Sequence, residues 1–322
     1  MAEHKQRQSG DSPPKMVEFQ GCAHTYIKFL DKYFVIYERF SFFLSTFAPE
    51  IKNMEFSVLI PIYKKEEPKH LRECFDSLFS QTLPATEIIL VEDGPLTSEL
   101  YDIILKSQQN HPELKTVKLP KNGGIGHALN EGLKHCTYDL VARMDADDIC
   151  KPDRFETQVK FLESHPEYDI VGSWADEFSD NISNILSTRK LPENHEAIIR
   201  FGKKRNPMNH PTVMFRQQAV KAAGCYIHSP QVEDYDLWVR MILRGSRFYN
   251  IQRSLLYFRM SDDFARRRGG WNYSRREIPL QISFYKMGYI SWWRMAVNIA
   301  IRTTVRMLPA KLRRKVYIKF LR

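Results

Sequence analysis

Between residues 56 and 143, short apolar runs of strand length alternate with segments whose apolar residues recur every three or four positions. Residues 56–62 and 87–91 are predicted strands, and a helix is predicted from Pro68 to about residue 81. The further predicted elements here are a helix at 100–108, a strand at 116–119, a helix at 126–135 and a strand leading into Asp145. This alternation predicts a Rossmann-like, mostly parallel α/β sheet flanked by helices, with a ligand site beyond the carboxyl ends of the strands.

Three carboxylates follow the fourth apolar run, in the sequence Asp145-Ala146-Asp147-Asp148. In an extended chain the side chains of Asp145 and Asp147 face the same way. Two negative charges held that close raise each other's pKa unless a cation lies between them. Hard ions such as Mg²⁺ or Mn²⁺ prefer oxygen ligands and keep a substrate phosphate. The alternative is a solvated acidic turn ahead of a helix that starts at Pro152.

The size and composition indicate a globular chain with a strongly basic C-terminal segment. A length of 322 residues suits one large domain or two smaller ones, and five widely spaced cysteines favour a reducing cytosol over disulfides or structural zinc. Residues 265–322 contain 15 Lys or Arg and the single acid Glu277, which gives this segment a charge of about +14. Since the net charge of the whole chain is +10, the remaining residues are slightly acidic, at about −4. This asymmetry favours an anionic membrane surface as a partner, whereas no nucleic-acid-binding motif is present.

We therefore predict three segments. Residues 1–53 form a partly disordered N-terminal extension, 54–262 form the α/β domain, and 263–322 form a basic loop and a helical, membrane-associating tail. The later predicted elements of the domain are a helix at 152–164, a strand at 169–174, a hairpin or loop at 176–190, a strand at 212–215 and a helix at 232–243.

The C-terminal segment is too charged to span a membrane, since arginines interrupt each apolar stretch of residues 292–309. Arg294, Asn298, Arg302 and Arg306 lie within one third of a helical wheel. With Tyr289, Trp292 and Trp293 at the start of this segment, the pattern favours an interfacial anchor on an anionic leaflet. A helix packed on its own domain, or on a second subunit, is the competing interpretation.

Five motifs occur in a fixed order along the chain. They are residues 57–63 (Ser-Val-Leu-Ile-Pro-Ile-Tyr), 91–94 (Val-Glu-Asp-Gly), 122–132 (beginning Asn-Gly-Gly), 145–148 (Asp-Ala-Asp-Asp) and 233–240 (Glu-Asp-Tyr-Asp-Leu-Trp-Val-Arg). Together they resemble the family 2 inverting glycosyltransferases of the GT-A fold, over about residues 56–259. The acidic motifs and the later Arg-Arg-Gly-Gly resemble a bacterial O-antigen subgroup that adds galactose or glucose to N-acetylglucosamine on diphospho-undecaprenol.

The resemblance implies a donor site and a metal site at these strand ends. The implied nucleotide-sugar-binding residues are Pro61, Tyr63, Glu92, Asp93, Asn122, Gly124, Asn130, Arg143, Asp145 and Asp148. Asp145 and Asp147 would hold Mn²⁺ or Mg²⁺ against the donor diphosphate. Structural alternatives stay open for these residues. Glu92 and Asp93 could make only turn bonds, Pro61 and Tyr63 could simply pack, and Asn122, Gly124 and Asn130 could form a turn and a helix start. Arg143 could pair with the carboxylates or reach solvent, and Asp148 could cap a helix.

The resemblance also implies an acceptor side. Asp234 matches the position of the catalytic base, with Glu233 as second choice, although acids also favour the first turn of any helix. His210 and the group Arg266, Arg267, Arg268 and Trp271 are candidates for contact with diphosphate or acceptor. A packed histidine and a solvated basic loop are their respective alternatives.

The resulting functional hypothesis is a metal-dependent, inverting hexosyltransferase that uses a UDP-sugar donor and a polyprenyl-diphosphate-linked sugar acceptor. It would act in bacterial surface polysaccharide synthesis, as a peripheral protein on the cytoplasmic face of the inner membrane. A nucleotidyltransferase is one alternative, but Pro61-Ile62-Tyr63-Lys64-Lys65 stands where such enzymes carry a glycine-rich loop. A catalytically silent membrane adaptor of the same fold is the other.

Overall fold

A nine-stranded sheet lies at the centre of the computed structural model, which describes residues 55–227, 232–260 and 270–309. Its strands are β1 (Phe56–Ile62), β2 (Glu87–Glu92), β3 (Leu114–Lys118), β4 (Leu140–Arg143), β5 (Ile149–Cys150), β6 (Ile170–Phe178), β7 (Ile185–Arg189), β8 (Met214–Arg216) and β9 (Phe248–Arg259). The helices are α1 (Pro68–Phe79), α2 (Ser98–Asn110), α3 (Ile125–Leu133), α4 (Arg154–Ser164), α5 (His195–Gly202), α6 (Gln217–Ala222), α7 (Glu233–Leu243), α8 (Trp271–Lys286) and α9 (Trp292–Met307).

The strand order is β3-β2-β1-β4-β8-β6-β9-β5, with β7 paired to β6. Strands β1 to β4 are mutually parallel, which confirms the alternation predicted from residues 56–143. Beyond them β8 runs antiparallel to both neighbours, β6 and β9 are parallel, and β5 and β7 are antiparallel additions. Ile62 pairs with Glu92 and Leu59 with Arg143, so β1, β2 and β4 end at one edge of the sheet.

Helices cover both faces of the sheet because apolar residues alternate sides along its buried strands. On one face Phe56 of β1 packs against Phe155 of α4, with ring centroids 5.1 Å apart. On the other face Leu59 and Val91 pack beneath α3, in a core cluster that also includes Trp238 of α7. The continuous apolar strands of the sequence are therefore strands buried on two sides.

The second half of the chain differs most from the sequence prediction. The strand predicted at 212–215 is a 3-10 turn at His210–Thr212 followed by the three-residue β8. The hydroxyl of Thr212 accepts from the Ser173 amide at 3.1 Å and donates to the Asn209 carbonyl at 2.9 Å, which bends the chain here. The helices α5 and α6 and the long strand β9 were not predicted, whereas residues 176–190 form the predicted hairpin from the end of β6 and β7.

The helices α8 and α9 form a hairpin that packs on α7. A shared apolar cluster joins Tyr235 and Val239 of α7 to Leu280 and Phe284 of α8. Residues 270–309 therefore pack on the protein's own domain, and association of this segment with a membrane stays a prediction. Residues 1–53, the basic group 266–268 and the tail beyond residue 309 lie outside the described residues. No helix within the described ranges has the length and apolarity needed to cross a bilayer.

We predict that enlarging Gly132 of α3 destabilises the domain. A Cβ atom at this position would lie 2.3 Å from Leu59 Cδ1 and 2.6 Å from Val91 Cγ2. Gly132→Val should lower the free energy of unfolding by about 1–3 kcal/mol because the core is overpacked. Gly132→Ala serves as the graded control and should cost less, since alanine recovers roughly 1 kcal/mol of helix propensity. Equal stability of all three proteins in urea unfolding would contradict the close packing.

Candidate active site

Three carboxylates converge just beyond the end of β4. Ligand oxygens of Asp145, Asp147 and Asp148 all lie within 4.8 Å of one another. The backbone fixes this position because the Met144 amide donates to the Leu59 carbonyl of β1 at 3.1 Å. The acidic motif therefore sits at the edge where the sequence predicted it.

Arg143 holds Asp145 through a bidentate ion pair. Its Nη1 and Nη2 donate to the two carboxylate oxygens of Asp145 at 2.8 and 2.5 Å. The Arg143 side chain is 2% exposed, and its Nε is buried without a hydrogen-bond partner in the described structure. Of the two sequence alternatives for Arg143, pairing with the carboxylates is the one observed. Because both oxygens of Asp145 accept hydrogen bonds from Arg143, the Asp147 carboxylate is better placed to coordinate a metal ion.

The end of β9 holds the other two acids in place. The Arg259 amide donates to Asp148 Oδ1 at 2.9 Å, and Arg259 Nε donates to the Asp147 carbonyl at 2.8 Å. The Arg259 guanidinium also pairs with Glu73 of α1 at 2.5 Å. Among the residues that the structure describes, Asp148 Oδ2 is buried and has no hydrogen-bond partner. Asp148 is therefore a fully buried acid with one unused oxygen; it does not cap the following helix, whose N-cap is Asp153.

Burial and mutual repulsion raise the pKa of Asp147, Asp148 and the nearby Glu66. Burial, together with the charge of Asp145, raises the pKa of Asp147 to about 6. Burial and the charges of Asp147 and Asp145 raise the pKa of Asp148 well above its usual value. Glu66, in the loop after β1, has its pKa raised to about 8 by burial and by the charge of Asp147. A site with a spare buried oxygen and excess carboxylates fits a hard divalent cation, which would relieve this repulsion.

The glycine-rich loop before α3 is bonded to the turn after β2. The carboxylate oxygens of Asp93 accept from the amides of Gly123 and Gly124 at 2.7 and 3.0 Å, and Asn122 Nδ2 donates to the Asp93 carbonyl at 3.2 Å. Gly94 has φ +84°, and a Cβ there would lie 2.7 Å from the Asn122 nitrogen. The Asp93 carboxylate thus joins two loops that are about 30 residues apart in sequence, rather than making the local turn bonds of the sequence alternative. Contact of these residues with a nucleotide stays a prediction.

Glu92 faces the opposite side of the sheet from α3. Its carboxyl group is buried, lies 4.0 Å from Lys118 Nζ, and lines a cavity of about 260 Å³ together with Tyr101 and Gln108. Burial raises the pKa of Glu92. The remaining donor-side candidates, Pro61 and Tyr63, are partly exposed at the end of β1.

Two further polar candidates, Asn130 and His210, make hydrogen bonds inside the fold. Asn130 Nδ2 donates to the Tyr226 carbonyl at 2.7 Å, and Asn130 Oδ1 accepts from the Tyr226 amide at 2.9 Å. His210 is buried, with Nε2 at 3.0 Å from the Tyr226 hydroxyl and its ring edge-on to Trp238. Burial and the charge of Arg143 hold the pKa of His210 well below its usual value, so the imidazole is neutral. This is the packed alternative for His210.

A second carboxylate pair begins α7. Asp234 Oδ2 accepts from Asn206 Nδ2 at 2.6 Å, and its Oδ1 accepts from the Tyr235 amide at 2.8 Å. Burial raises the pKa of Asp234, although the Asn206 bond opposes that rise. Burial and the charge of Asp234 raise the pKa of the neighbouring Glu233 to about 7, and Glu233 Oε2 is buried without a partner.

Arg143 connects the two acidic groups electrostatically. Burial raises the pKa of Asp147, Asp148, Glu233 and Asp234, and the charge of Arg143 opposes that rise in all four. The cluster after β4 and the carboxylate pair of α7 therefore lie within electrostatic range of one buried guanidinium. Trp271, by contrast, is 52% exposed at the start of α8, and Arg266, Arg267 and Arg268 lie outside the described residues.

Comparison with known proteins identifies the class to which this fold and site belong. The profile described as Glycosyl transferase family 2 matches residues 57–223. An uncharacterized glycosyltransferase of Haemophilus influenzae is 44% identical over 84% of the chain and 100% of the relative. The chain belongs to glycosyl transferase family 2, as the order of its motifs predicted.

A characterised activity is attached to another relative. The Escherichia coli UDP-Gal:alpha-D-GlcNAc-diphosphoundecaprenol beta-1,3-galactosyltransferase is 38% identical over 83% of this chain and 97% of its own length. Among solved structures, Staphylococcus aureus TarS 1–349 in complex with UDP-GlcNAc aligns with a TM-score of 0.59 at 19% identity, covering 82% of this chain and 75% of that one. Mannosyltransferase PcManGT of Pyrobaculum calidifontis, in complex with GDP-Man and Mn²⁺, aligns with a TM-score of 0.56 at 16% identity, covering 80% and 78%. These likenesses confirm the predicted GT-A fold.

Three residues of the site carried no usable sequence signal. Glu66 stands beside Lys64 and Lys65 in what reads as a solvated turn, and Arg259 ends a strand that was not predicted. Asn206 lies 28 positions before Asp234, in an irregular segment. Each becomes part of the site through tertiary contacts, so only its polar character in the sequence could have drawn attention to it.

We predict that Mn²⁺ stabilises the protein more at pH 8 than at pH 5.5. The pKa of Asp147 rises from 3.8 to about 6 and that of Glu66 from 4.5 to about 8 on folding without metal. The folded chain therefore binds more protons than the unfolded chain across this window, and its stability falls as pH rises. Mn²⁺ displaces those protons, so its shift of Tm should grow with pH.

Thermal denaturation with and without Mn²⁺ at the two pH values measures this effect. Asp147→Asn should abolish the Mn²⁺ shift, whereas Asp139→Asn, on the surface away from the site, should preserve it. A shift in the wild-type protein that is equal at both pH values would count against the metal site.

Proposed function

We propose that this glycosyltransferase is an inverting, metal-dependent enzyme. It transfers galactose or glucose from a UDP-sugar to a sugar on a polyprenyl diphosphate in bacterial surface polysaccharide synthesis. The observation that carries the proposal is the convergence of three carboxylates within 4.8 Å, one with an unused buried oxygen, beside the carboxylate pair of α7. The activity of the E. coli relative supports the UDP-sugar and the lipid-linked acceptor.

On the donor side, Asp147 would be the main ligand of Mn²⁺ or Mg²⁺, supported by Asp148 and by Asp145. When bound, the cation supplies positive charge that neutralises the departing diphosphate. The Arg143 ion pair fixes the orientation of Asp145 before the donor arrives, which reduces reorganisation during the reaction. Pro61, Tyr63 and the bonded turn of Asp93 and Asn122 would flank the nucleoside.

On the acceptor side, Asp234 is the proposed base. It takes the proton of the acceptor hydroxyl as that oxygen bonds to the sugar C1 on the face opposite the leaving UDP, whose bond to C1 breaks. The bonds from Asn206 and the Tyr235 amide orient the Asp234 carboxylate and oppose the rise in its pKa that burial causes. Glu233, with its pKa near 7, is less suited to remain a carboxylate. We propose that Trp271 and the arginines 266–268 contact the acceptor diphosphate.

We place this activity at the cytoplasmic face of the bacterial inner membrane, with the protein bound peripherally. The 15 Lys or Arg of residues 265–322 and a lipid-linked acceptor support this location. The family assignment argues against a nucleotidyltransferase. A silent adaptor would bind UDP-sugar without turning it over.

The direct test is UDP release from UDP-galactose or UDP-glucose in the presence of a synthetic diphosphate-lipid N-acetylglucosamine acceptor. We expect release with Mn²⁺ that stops after chelation and returns when Mn²⁺ is restored. Turnover untouched by chelation would refute metal dependence, and absence of turnover with every hexose donor would favour the adaptor.

We predict that Asp234→Asn lowers kcat by roughly 10²–10⁴-fold, the usual contribution of a general base. Binding of UDP-galactose, measured by calorimetry with Mn²⁺, should change little because the donor contacts remain. Glu196→Gln is the matched control, since Glu196 is an exposed acid in the first turn of α5. Full turnover by Asp234→Asn would remove Asp234 from this role.

We further predict that Asn206→Ala shifts the acid limb of the kcat/KM profile to higher pH. Loss of the 2.6 Å bond removes a contact that favours the ionised form of Asp234, so the base is protonated more readily. Activity should fall most near pH 6 and recover partly at pH 8. Asn194→Ala, which removes only the cap of α5, should leave the profile in place. An unshifted limb in Asn206→Ala would show that Asn206 does not tune the base.

A further inference from the structure

Helix α9 turns its polar side inward. Arg302 Nη1 pairs with Glu277 of α8 at 2.5 Å, and Arg306 Nε pairs with the other oxygen of Glu277 at 3.0 Å. Asn298 is buried, and its Nδ2 donates to Gln281 Oε1 at 2.8 Å and to the Lys203 carbonyl at 2.9 Å. Three of the four residues in the polar arc that the helical wheel identified, Asn298, Arg302 and Arg306, therefore attach α9 to the rest of the protein.

The exposed side of α9 carries no charge. Its exposed residues are Trp292, Trp293, Ala296, Ala300, Ile301, Thr304 and Met307. Trp292 and Trp293 are 63% and 62% exposed, and Ile301 and Met307 are each 58% exposed. A helix on a water-facing surface normally has the opposite arrangement, with charged residues outside and apolar residues inside. The arrangement in α9 calls for an apolar environment on its outer side.

Helix α8 extends this surface and adds positive charge to it. Its exposed residues are Trp271, Arg275, Arg276, Pro279, Ile282, Tyr285 and Lys286. Glu277 is the single acid in residues 270–309, and it is 4% exposed between the two arginines of α9. We call the exposed residues of α8 and α9 together the hairpin surface. It combines aromatic side chains, aliphatic side chains and cations, and lacks exposed acids.

We propose that the hairpin surface docks on the interface of an anionic lipid bilayer. Tryptophan and tyrosine favour the boundary between headgroups and acyl chains, and Arg or Lys beside them attracts anionic headgroups. A second copy of the chain is the less favourable occupant, because a symmetric contact would place Arg275, Arg276 and Lys286 near their own copies. The inference rests on the proposed function in that a lipid-linked acceptor requires the enzyme at a bilayer.

The inner side of the hairpin connects the bilayer to the site. The Phe284 ring packs edge-on against Tyr235 with centroids 4.8 Å apart, and the Arg302 guanidinium lies 5.7 Å from the Tyr235 ring. Tyr235 directly follows Asp234, whose carboxylate accepts from the Tyr235 amide. Docking of the hairpin surface therefore sets the orientation of the start of α7 relative to the lipid from which the acceptor extends.

Cosedimentation of the full chain with vesicles tests the proposal. The wild-type protein should bind vesicles of phosphatidylglycerol and phosphatidylcholine more tightly than pure phosphatidylcholine, with a blue shift of tryptophan emission and quenching by brominated lipid. The double variant Trp292→Ser/Trp293→Ser should reduce the partition coefficient roughly tenfold. Leu105→Ser/Ile185→Ser, which alters exposed aliphatic residues outside the hairpin, is the matched control and should bind like the wild type.

Circular dichroism and thermal melting establish that the variants are folded, since the substituted tryptophans are mostly exposed. Undiminished binding by a folded tryptophan variant would overturn the proposal. If the wild-type protein is a dimer, the tryptophan variant is a monomer and both bind vesicles equally, the surface would be assigned to a second copy of the chain instead.

The outcome can be separated from the enzymatic hypothesis. Transfer to a short-chain, water-soluble diphosphate acceptor should be equal in wild type and tryptophan variant, whereas transfer to a vesicle-embedded acceptor should fall with binding. Tryptophan-dependent vesicle binding by a chain without any transferase activity would leave the docking surface standing and refute the proposed function.

Discussion

The ion pair between Arg143 and Asp145 organises the site. Two nearly parallel bonds at 2.8 and 2.5 Å hold a buried guanidinium beside the acidic end of β4. Loss of one partner from a buried pair typically costs about 3–5 kcal/mol, because the other charge is left without compensation. Arg143 also moderates the pKa of Glu233 and Asp234 on α7. The cluster after β4 and the carboxylate pair of α7 therefore share the influence of one positive charge, held at the end of β4.

Even with Arg143, the site contains more negative charge than it can neutralise by itself. Asp147, Asp148 and Glu66 all have raised pKa values, and the oxygen of Asp148 that has no partner remains buried. Such an arrangement holds repelling carboxylates close together, and a bound cation would relieve that repulsion. The parallel strands make this possible because they deliver acids from separate parts of the chain to one edge.

The sequence analysis succeeded where structure is local and failed where it depends on distant contacts. Apolar runs and helical spacing identified β1 to β4 and α1 to α3, and motif order identified the family. The long strand β9 was not predicted because Gln252, Arg253 and Ser254 interrupt its alternation. Gln252 donates to the Leu191 carbonyl, Arg253 donates to Asp153, and Ser254 Oγ accepts from the Asp176 amide. Asn206 and Glu66 could not be assigned because folding alone brings them to the acids. For α9 the wheel located the polar arc correctly, but periodicity cannot tell which side faces the protein.

The inverted arrangement of α9 has a consequence for the chain in aqueous buffer. Two adjacent tryptophans more than half exposed, with Ile301 and Met307 further along the helix, form an adhesive patch in the absence of lipid. Arg302 and Arg306 on the inner side of α9 pair with the buried Glu277, so turning the patch inward would move both arginines into solvent and leave the Glu277 carboxylate buried without them. We therefore expect the protein to cluster at high concentration and mild detergent to relieve this, because the salt bridges that keep the hairpin folded also keep the apolar patch exposed.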